Sequence, residues 1–126
     1  MLALRILDSI TELGTHDEGC LAVSGSHGGR SSARYALAAK PLLSVFNDAG
    51  VGKDDAGLAA LELMQAHNLA ACTVSHASAR IGDAQSTMNN GIVSHCNALA
   101  GMLGVQPGQT CLHMIEIIQR QTRRQP

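Results

Sequence analysis

Aromatic residues are almost missing from this chain of 126 residues, which has one Tyr, one Phe and no Trp. A core without large rings has to be filled by Ala, Leu, Val, Ile and Met, and such a core suits close packing of helices on a sheet. Positive charge is not in excess either, since 9 Lys+Arg face 10 Asp+Glu. A nucleic-acid backbone is held by a surplus of basic residues, so we expect no nucleic-acid partner.

Long apolar runs are also missing. No uninterrupted stretch approaches the roughly 20 apolar residues that a membrane span needs. The opening residues, MLALRILDSI, carry too short an apolar run before Asp8 for a secretory signal. We therefore expect no membrane contact and a cytoplasmic protein, and the length predicts a single domain over 1–126.

The four cysteines do not form a pattern that would cross-link the chain or hold zinc. Each of them stands alone inside an apolar run, and no CxxC pair occurs. Isolated cysteines behave as small hydrophobic residues, so free buried thiols are predicted. They are Cys20, Cys72, Cys96 and Cys111.

Apolar runs of strand length alternate with polar, Gly-containing segments and helical patterns, which is typical of an α/β fold. The clearest strands cover 20–25, 42–46 and 69–75, and each is apolar enough to be buried on both faces of a parallel sheet. A fourth candidate, Leu4 to Leu7, has no predictable direction. We expect one three-layer domain, Rossmann-like or flavodoxin-like, with a mostly parallel sheet of three or four strands flanked by helices.

Helical periodicity predicts four helices around this sheet. Asp54 or Asp55 can cap the second helix, and Thr110 can cap the last, in which Leu112 and Ile115 are expected to face inward. His95 is placed inside the third helix as a surface polar group. The predicted helices span 31–40, 54–67, 87–103 and the residues that follow 110.

Polar segments follow each of the three clearest strands. They are SGSHGGR (24–30), NDAGVGKDD (47–55) and SHASARIGD (75–83), and they carry titratable groups of both signs. The carboxyl ends of parallel strands meet at one edge of a sheet, where ligands bind. The three segments are therefore expected to form one cleft.

Ser26 stands between Gly25 and His27, with Ser24 and Gly28 two residues away. This small-x-Ser-x-small pattern after a strand is similar to the nucleophile elbow of the α/β-hydrolases. The similarity covers five residues, and the chain lacks the additional strands and the separate oxyanion loop of that family. The alternative interpretation is a Gly-rich turn whose backbone N–H groups bind a phosphate or carboxylate without chemistry.

Ser26, Asp48 and His76 follow three different strands in the order nucleophile, acid, histidine. We predict them as the catalytic residues, with Ser26 or a bound water as nucleophile, His76 as base and Asp48 as the group that orients it. Arg80 would hold an anionic group of the substrate. The predicted ligand-binding residues are Ser24, Gly25, His27, Gly28, Gly29, Asn47, Lys53, Ser78, Arg80 and Asp83.

His27, Asp48, His76 and Asp83 are also of the types that bind Zn²⁺ or Mg²⁺. No HExxH or comparable pair fixes a geometry for such an ion. We assign no cofactor and no metal site, and a divalent ion stays as an open alternative.

The expected function is a small-molecule enzyme, a hydrolase acting on an anionic metabolite in the cleft of the strand-end segments. The alternatives are a non-catalytic module that binds a phosphate or carboxylate ligand and an oligomeric scaffold. A small sheet buries little area, and the last helix has a broad apolar face, so we also expect a homo-oligomer.

Overall fold

The computed structural model describes residues 2–124, and their five strands form one sheet. The first four strands of this sheet run parallel to one another, and the last pairs with the fourth in antiparallel direction. The predicted α/β class and the mostly parallel sheet are confirmed, whereas the expected three or four strands are five. In spatial order they are β1 (Leu4–Leu7), β2 (Leu21–His27), β3 (Leu43–Asn47), β4 (Ala70–Val74) and β5 (Val93–Cys96).

Residues 2–124 also form five α-helices and three short 3₁₀ helices, of which the last two α-helices follow β5. The 3₁₀ helices cover Ile10–Glu12, Thr15–Asp17 and Lys53–Leu58. Over this part of the chain, no helix has the length and apolar character required to cross a bilayer. The α-helices are α1 (Arg30–Ala39), α2 (Ala59–Ala66), α3 (Ala84–Asn90), α4 (Ala98–Met102) and α5 (Cys111–Arg124).

Helices cover both faces of the sheet. Successive side chains of a strand point to opposite faces, and Val45 and Phe46 of β3 accordingly belong to two separate apolar clusters. Residues of α1 and α2 pack in the cluster of Phe46, while residues of α3, α4 and α5 pack in that of Val45. Much of the packing of α1 and α2 in this cluster is through the small, buried side chains of Ala33, Ala36 and Ala60.

The predicted third helix, 87–103, is wrong. α3 ends at Asn90, β5 follows, and α4 begins only after Asn97, whose side chain caps it by accepting the N–H of Ala100 at 2.9 Å. Gly91 packs so tightly that a Cβ there would overlap the carbonyl oxygen of Thr87. The apolar residues that are spaced three and four apart belong to three separate elements, α3, β5 and α4. Residues 93–96 pair with β4 and form a strand in place of the predicted helix.

The start of the second predicted helix is also wrong. α2 begins at Ala59, and its N-cap position, Leu58, provides no side-chain hydrogen bond. Asp54 and Asp55 lie in the preceding 3₁₀ segment with left-handed backbones, at φ of 55° and 56°, so neither carboxylate caps α2. Their side chains are exposed and free for another role.

For the last helix, the predicted N-terminal cap is confirmed, and the prediction of which side chains are buried is partly correct. The N–H of His113 donates to Thr110 Oγ1 at 3.2 Å, which confirms Thr110 as the cap. Ile115 is buried against the sheet, but Leu112 is 45% exposed, so its expected inward position is wrong.

The four cysteines are free thiols, as predicted. Cys20, Cys72 and Cys111 are buried and Cys96 is partly buried. Burial raises the pKa of Cys111 to about 12. Such a thiol stays protonated near neutral pH and is a poor nucleophile.

Candidate functional site

Two cavities lie at the carboxyl ends of the strands, and the predicted site residues divide between them. The larger, of about 610 Å³, is lined by His27 and Gly29 among others. The smaller, of about 520 Å³, is lined by His76, Ser78 and Arg80. The single expected cleft is thus represented by two separate cavities.

Asp48 and His76 are brought together directly. Asp48 follows β3, and its Oδ1 accepts the backbone N–H groups of Gly50 at 2.8 Å and His76 at 3.0 Å. The same oxygen lies 3.5 Å from Nδ1 of His76. The Asp48 side chain is 6% exposed and that of His76 58%, so a buried carboxylate holds an imidazole whose other side reaches solvent.

The surroundings of Asp48 keep its carboxylate charged. Burial raises the pKa of Asp48, but hydrogen bonds from Gly50, the Ser94 hydroxyl and the His76 backbone, together with the charge of the His76 ring, outweigh it. The net pKa is lowered. Ser94 of β5 is itself positioned by Thr73 of β4, because their hydroxyl oxygens lie 2.8 Å apart.

Ser78 supports the turn that carries His76. Its hydroxyl accepts hydrogen bonds from Ser75 Oγ at 2.9 Å and the Ile92 backbone N–H at 2.9 Å, and it donates to the Ser75 carbonyl at 2.8 Å. These bonds use the hydroxyl fully, so Ser78 shapes the wall of the smaller cavity. Arg80 lies exposed on the same wall, and its guanidinium has no hydrogen bond or ion pair within residues 2–124.

Ser26 occupies a different place from Asp48 and His76. Its Oγ accepts the backbone N–H of Ile10 at 2.9 Å and so fixes the start of the first 3₁₀ helix. In the described part of the chain, no hydrogen bond joins Ser26 to either of the other two residues. Ser26 lies on β2 and His76 follows β4, two strands along the sheet, which corresponds to about 10 Å between strand axes.

Glycines in the strand-end segments serve close backbone packing. A Cβ on Gly28 would overlap the carbonyl oxygen of Gly57, and a Cβ on Gly57 would overlap that of Asp48. A Cβ on Gly25 would overlap the backbone of Gly82 and Asp83. Through these close backbone contacts of Gly57 with Gly28 and Asp48, the segment 49–58 packs directly on the ends of β2 and β3.

The other predicted ligand residues have structural partners or stand apart. Ser24 Oγ donates to the Val45 carbonyl at 2.8 Å. Asn47 is buried, donating from Nδ2 to Ala79 at 3.0 Å and accepting the N–H of Ala49 at 2.8 Å. The Asp83 carboxylate caps α3 by accepting the N–H of Ser86 at 3.0 Å. Lys53 is exposed in the third 3₁₀ helix.

The larger cavity contains residues that the sequence reading missed. His27 and the start of α1 form one wall, the segment 54–62 another, and His95 of β5 a third. Arg30, Glu62 and His95 were not predicted as site residues, and His95 was expected in a helix. The run Asn89–Asn90–Gly91 before two β-branched residues is the signal that could have indicated a strand there.

The segment 49–55 has an unusual backbone. Four residues other than glycine have positive φ in it: Ala49 at 51°, Val51 at 68°, Asp54 at 55° and Asp55 at 56°. A left-handed backbone is costly for these residues, and most of all for a β-branched Val. Strained backbone conformations are often found at functional sites. This segment lies beside both cavities: Gly50 is next to the His76 ring, and Asp54 and Asp55 line the larger cavity.

The four residues considered as metal ligands lie in different surroundings. Asp48 and His76 contact each other, His27 lines the larger cavity and Asp83 caps α3. Across residues 2–124, no three His, Cys, Asp or Glu side chains are grouped as ligands of a metal ion.

No known protein family, curated protein or solved structure matches this chain. A function therefore has to be inferred from the residues that line the two cavities. A buried carboxylate that orients an exposed imidazole can support proton transfer.

Proposed function

We propose that the protein is a hydrolase of small anionic metabolites and that Asp48 and His76 at the smaller cavity form its catalytic pair. The observation that carries the proposal is the double contact of Asp48 Oδ1 with the backbone and the ring of His76. A carboxylate on Nδ1 fixes the tautomer and orientation of an imidazole, and this leaves Nε2 as the base.

Water is the nucleophile in this mechanism. His76 Nε2 takes a proton from water while the water oxygen bonds to the carbonyl carbon or phosphorus of the substrate. The leaving oxygen or nitrogen then departs with a proton returned from His76. The Ser26 hydroxyl is a poorer candidate, because its oxygen accepts the Ile10 N–H and it lies two strands from β4.

Arg80 supplies the charge that would bind the substrate. It lines the same cavity as His76, and no carboxylate within residues 2–124 pairs with its guanidinium. An unpaired Arg favours phosphate or carboxylate groups, which it can bind with two parallel hydrogen bonds.

We interpret the helix-covered sheet as a three-layer, Rossmann-like domain of a cytoplasmic protein, in which ligands bind at this edge.

A second candidate is a non-catalytic module that binds phosphate or carboxylate on the 24–29 loop. Gly29, the N-cap of α1, gives no side-chain hydrogen bond to the first turn of the helix. The N–H groups of that turn lie beside the larger cavity, which Arg30 and Ser31 line. An anion there would be bound by backbone groups and would not react.

We also propose that the protein forms a homo-oligomer, and such an assembly could act as a scaffold. Leu4 and Ile6 on the edge strand β1 are each 37% exposed, and Leu112 on α5 is 45% exposed. Light scattering that gave the monomer mass at micromolar concentration would reject this proposal.

The hydrolase is tested with a panel of chromogenic carboxylate esters and phosphoesters. We expect turnover by the wild type, a loss of at least about 100-fold in kcat/KM for His76→Gln, and a raised KM for Arg80→Gln. Ser26→Ala should keep most of the activity. His113→Gln, an exposed histidine of α5, is the matched control.

Two outcomes would contradict this mechanism. Full activity of His76→Gln would remove the imidazole from the reaction, and loss of turnover in Ser26→Ala with retained folding would establish a serine nucleophile. Binding of phosphate without turnover of any ester in the panel would favour the second candidate.

A further inference from the structure

The larger cavity differs from the smaller one in the charges on its walls. His27 and Arg30 come from the end of β2 and the start of α1, and His95 comes from β5. Asp54 and Asp55 come from the segment that leads into α2, and Glu62 comes from α2 itself. A single cavity of about 610 Å³ therefore has both basic and acidic walls, within the size range of small-molecule sites.

These charged groups are not used to hold the fold together. Among the side chains that the structure describes, those of residues 2–121, the ion pairs involve Asp17 with Arg5 and His16, and Asp48 with His76. The side chains of the six cavity residues have no hydrogen bond or ion pair with any described residue. Opposite charges that surround one space without pairing are available to a ligand that carries both signs.

The two aspartates of the acidic wall have energetically unfavourable backbone conformations. Asp54 and Asp55 have left-handed conformations, and neither carboxylate caps α2, so helix capping does not explain their position. The contact of Gly28 with Gly57 fixes the segment that carries them against β2. Leu58 and Leu61 add apolar surface to the lining of the same cavity.

We infer that the larger cavity binds a small zwitterion, an amino acid or a related amino compound with an apolar side chain. Its carboxylate lies at Arg30 and the first turn of α1, and its ammonium group lies at Asp54, Asp55 and Glu62. Its apolar part packs on Leu58 and Leu61. This inference does not rest on the hydrolase proposal, because the catalytic pair belongs to the other cavity.

Three probes with the same branched apolar chain separate the contributions of the two charges. They differ in size by the group removed: L-leucine, 4-methylpentanoate, which lacks the amino group, and 3-methylbutylamine, which lacks the carboxylate. Binding is followed by amide chemical shifts in the full-length protein, with the signals of Gly29 to Ser31 and Ala56 to Glu62 as the readout. We expect L-leucine to bind at least about tenfold more tightly than either single-charge compound.

Charge-neutralising variants then assign the walls. Asn tolerates a left-handed backbone, so Asp54→Asn with Asp55→Asn should weaken L-leucine about tenfold and leave 4-methylpentanoate unchanged. Arg30→Gln should weaken both of these probes. Glu116→Gln and Arg120→Gln, on the exposed side of α5, are the controls and should change neither affinity.

Equal affinity for L-leucine and 4-methylpentanoate would overturn the inference and leave an anion site only. Absence of shifts at the cavity with all three probes at 10 mM, roughly the weakest affinity of interest, would overturn it as well. Neither result would affect the ester assay, which reads the smaller cavity.

Discussion

The carboxylate of Asp48 contacts His76 twice, through the backbone N–H at 3.0 Å and near the ring Nδ1 at 3.5 Å. The first contact fixes where the chain leaves β4, and the second fixes where the imidazole stands. One carboxylate therefore sets both the position and the direction of the proposed base. Loss of this group should change both stability and chemistry.

Asp48 should make stability depend on pH in the acid range. Its pKa in the folded protein lies below the ordinary value of 3.8, so its contribution is complete above that value and is lost as the pH falls through the lower folded pKa. Urea unfolding of Asp48→Asn should show a smaller decrease in the free energy of unfolding below about pH 4 than the wild type. Glu116→Gln controls for the loss of one negative charge. An unchanged acid slope in Asp48→Asn would show that Asp48 carries no linked proton.

Gly28→Ala should destabilise the fold. The added methyl group would overlap the carbonyl oxygen of Gly57, and the backbone would have to move at a cost of about 1–3 kcal/mol in the free energy of unfolding. Gly101→Ala is the matched control, because nothing outside its chain neighbours and its own helix backbone lies within 4 Å of its Cβ position in α4, and alanine favours a helix. A Gly28→Ala protein as stable as Gly101→Ala would contradict the close packing of 49–58.

Asn97 should be one of the most sensitive polar residues. Its buried side chain accepts the N–H groups of Ala71 and Ala100 and donates to the carbonyls of Leu61 and Leu69. Asn97→Ala would leave these backbone groups without partners and should lower the free energy of unfolding by about 3 kcal/mol. Asn89→Ala, at an exposed position of α3, should be near neutral. Similar denaturation midpoints for the two variants would disagree with this network.

The strands were predictable because their signal is local. Continuous apolar runs between polar segments marked β2, β3 and β4 to within two residues at each end, and burial on both faces agrees with their parallel pairing. β5 was missed because the spacing of Met88, Ile92 and Cys96 fits a helix as well as separate elements. Pairing with β4, a contact distant in sequence, decides between them.

Adjacency of strands predicted only part of the candidate site. Asp48 and His76 follow β3 and β4, which are consecutive in sequence and adjacent in the sheet, as consecutive strands commonly are. Ser26 follows the same local rule, since β2 is adjacent to β3, yet within the described residues no hydrogen bond joins it to Asp48. Its hydroxyl is bonded to a backbone group of another segment, a tertiary contact that residue spacing does not encode.

The left-handed residues between 49 and 55 reverse a common rule about mutations. In most loops a change to glycine lowers stability, because the unfolded chain gains freedom. At Val51 a glycine would also remove a backbone cost of about 1 kcal/mol or more. Selection for heat resistance would therefore favour glycines here, and the same changes would loosen the walls of both cavities. In this segment, changes to glycine should raise the melting temperature and at the same time weaken binding of the proposed ligands.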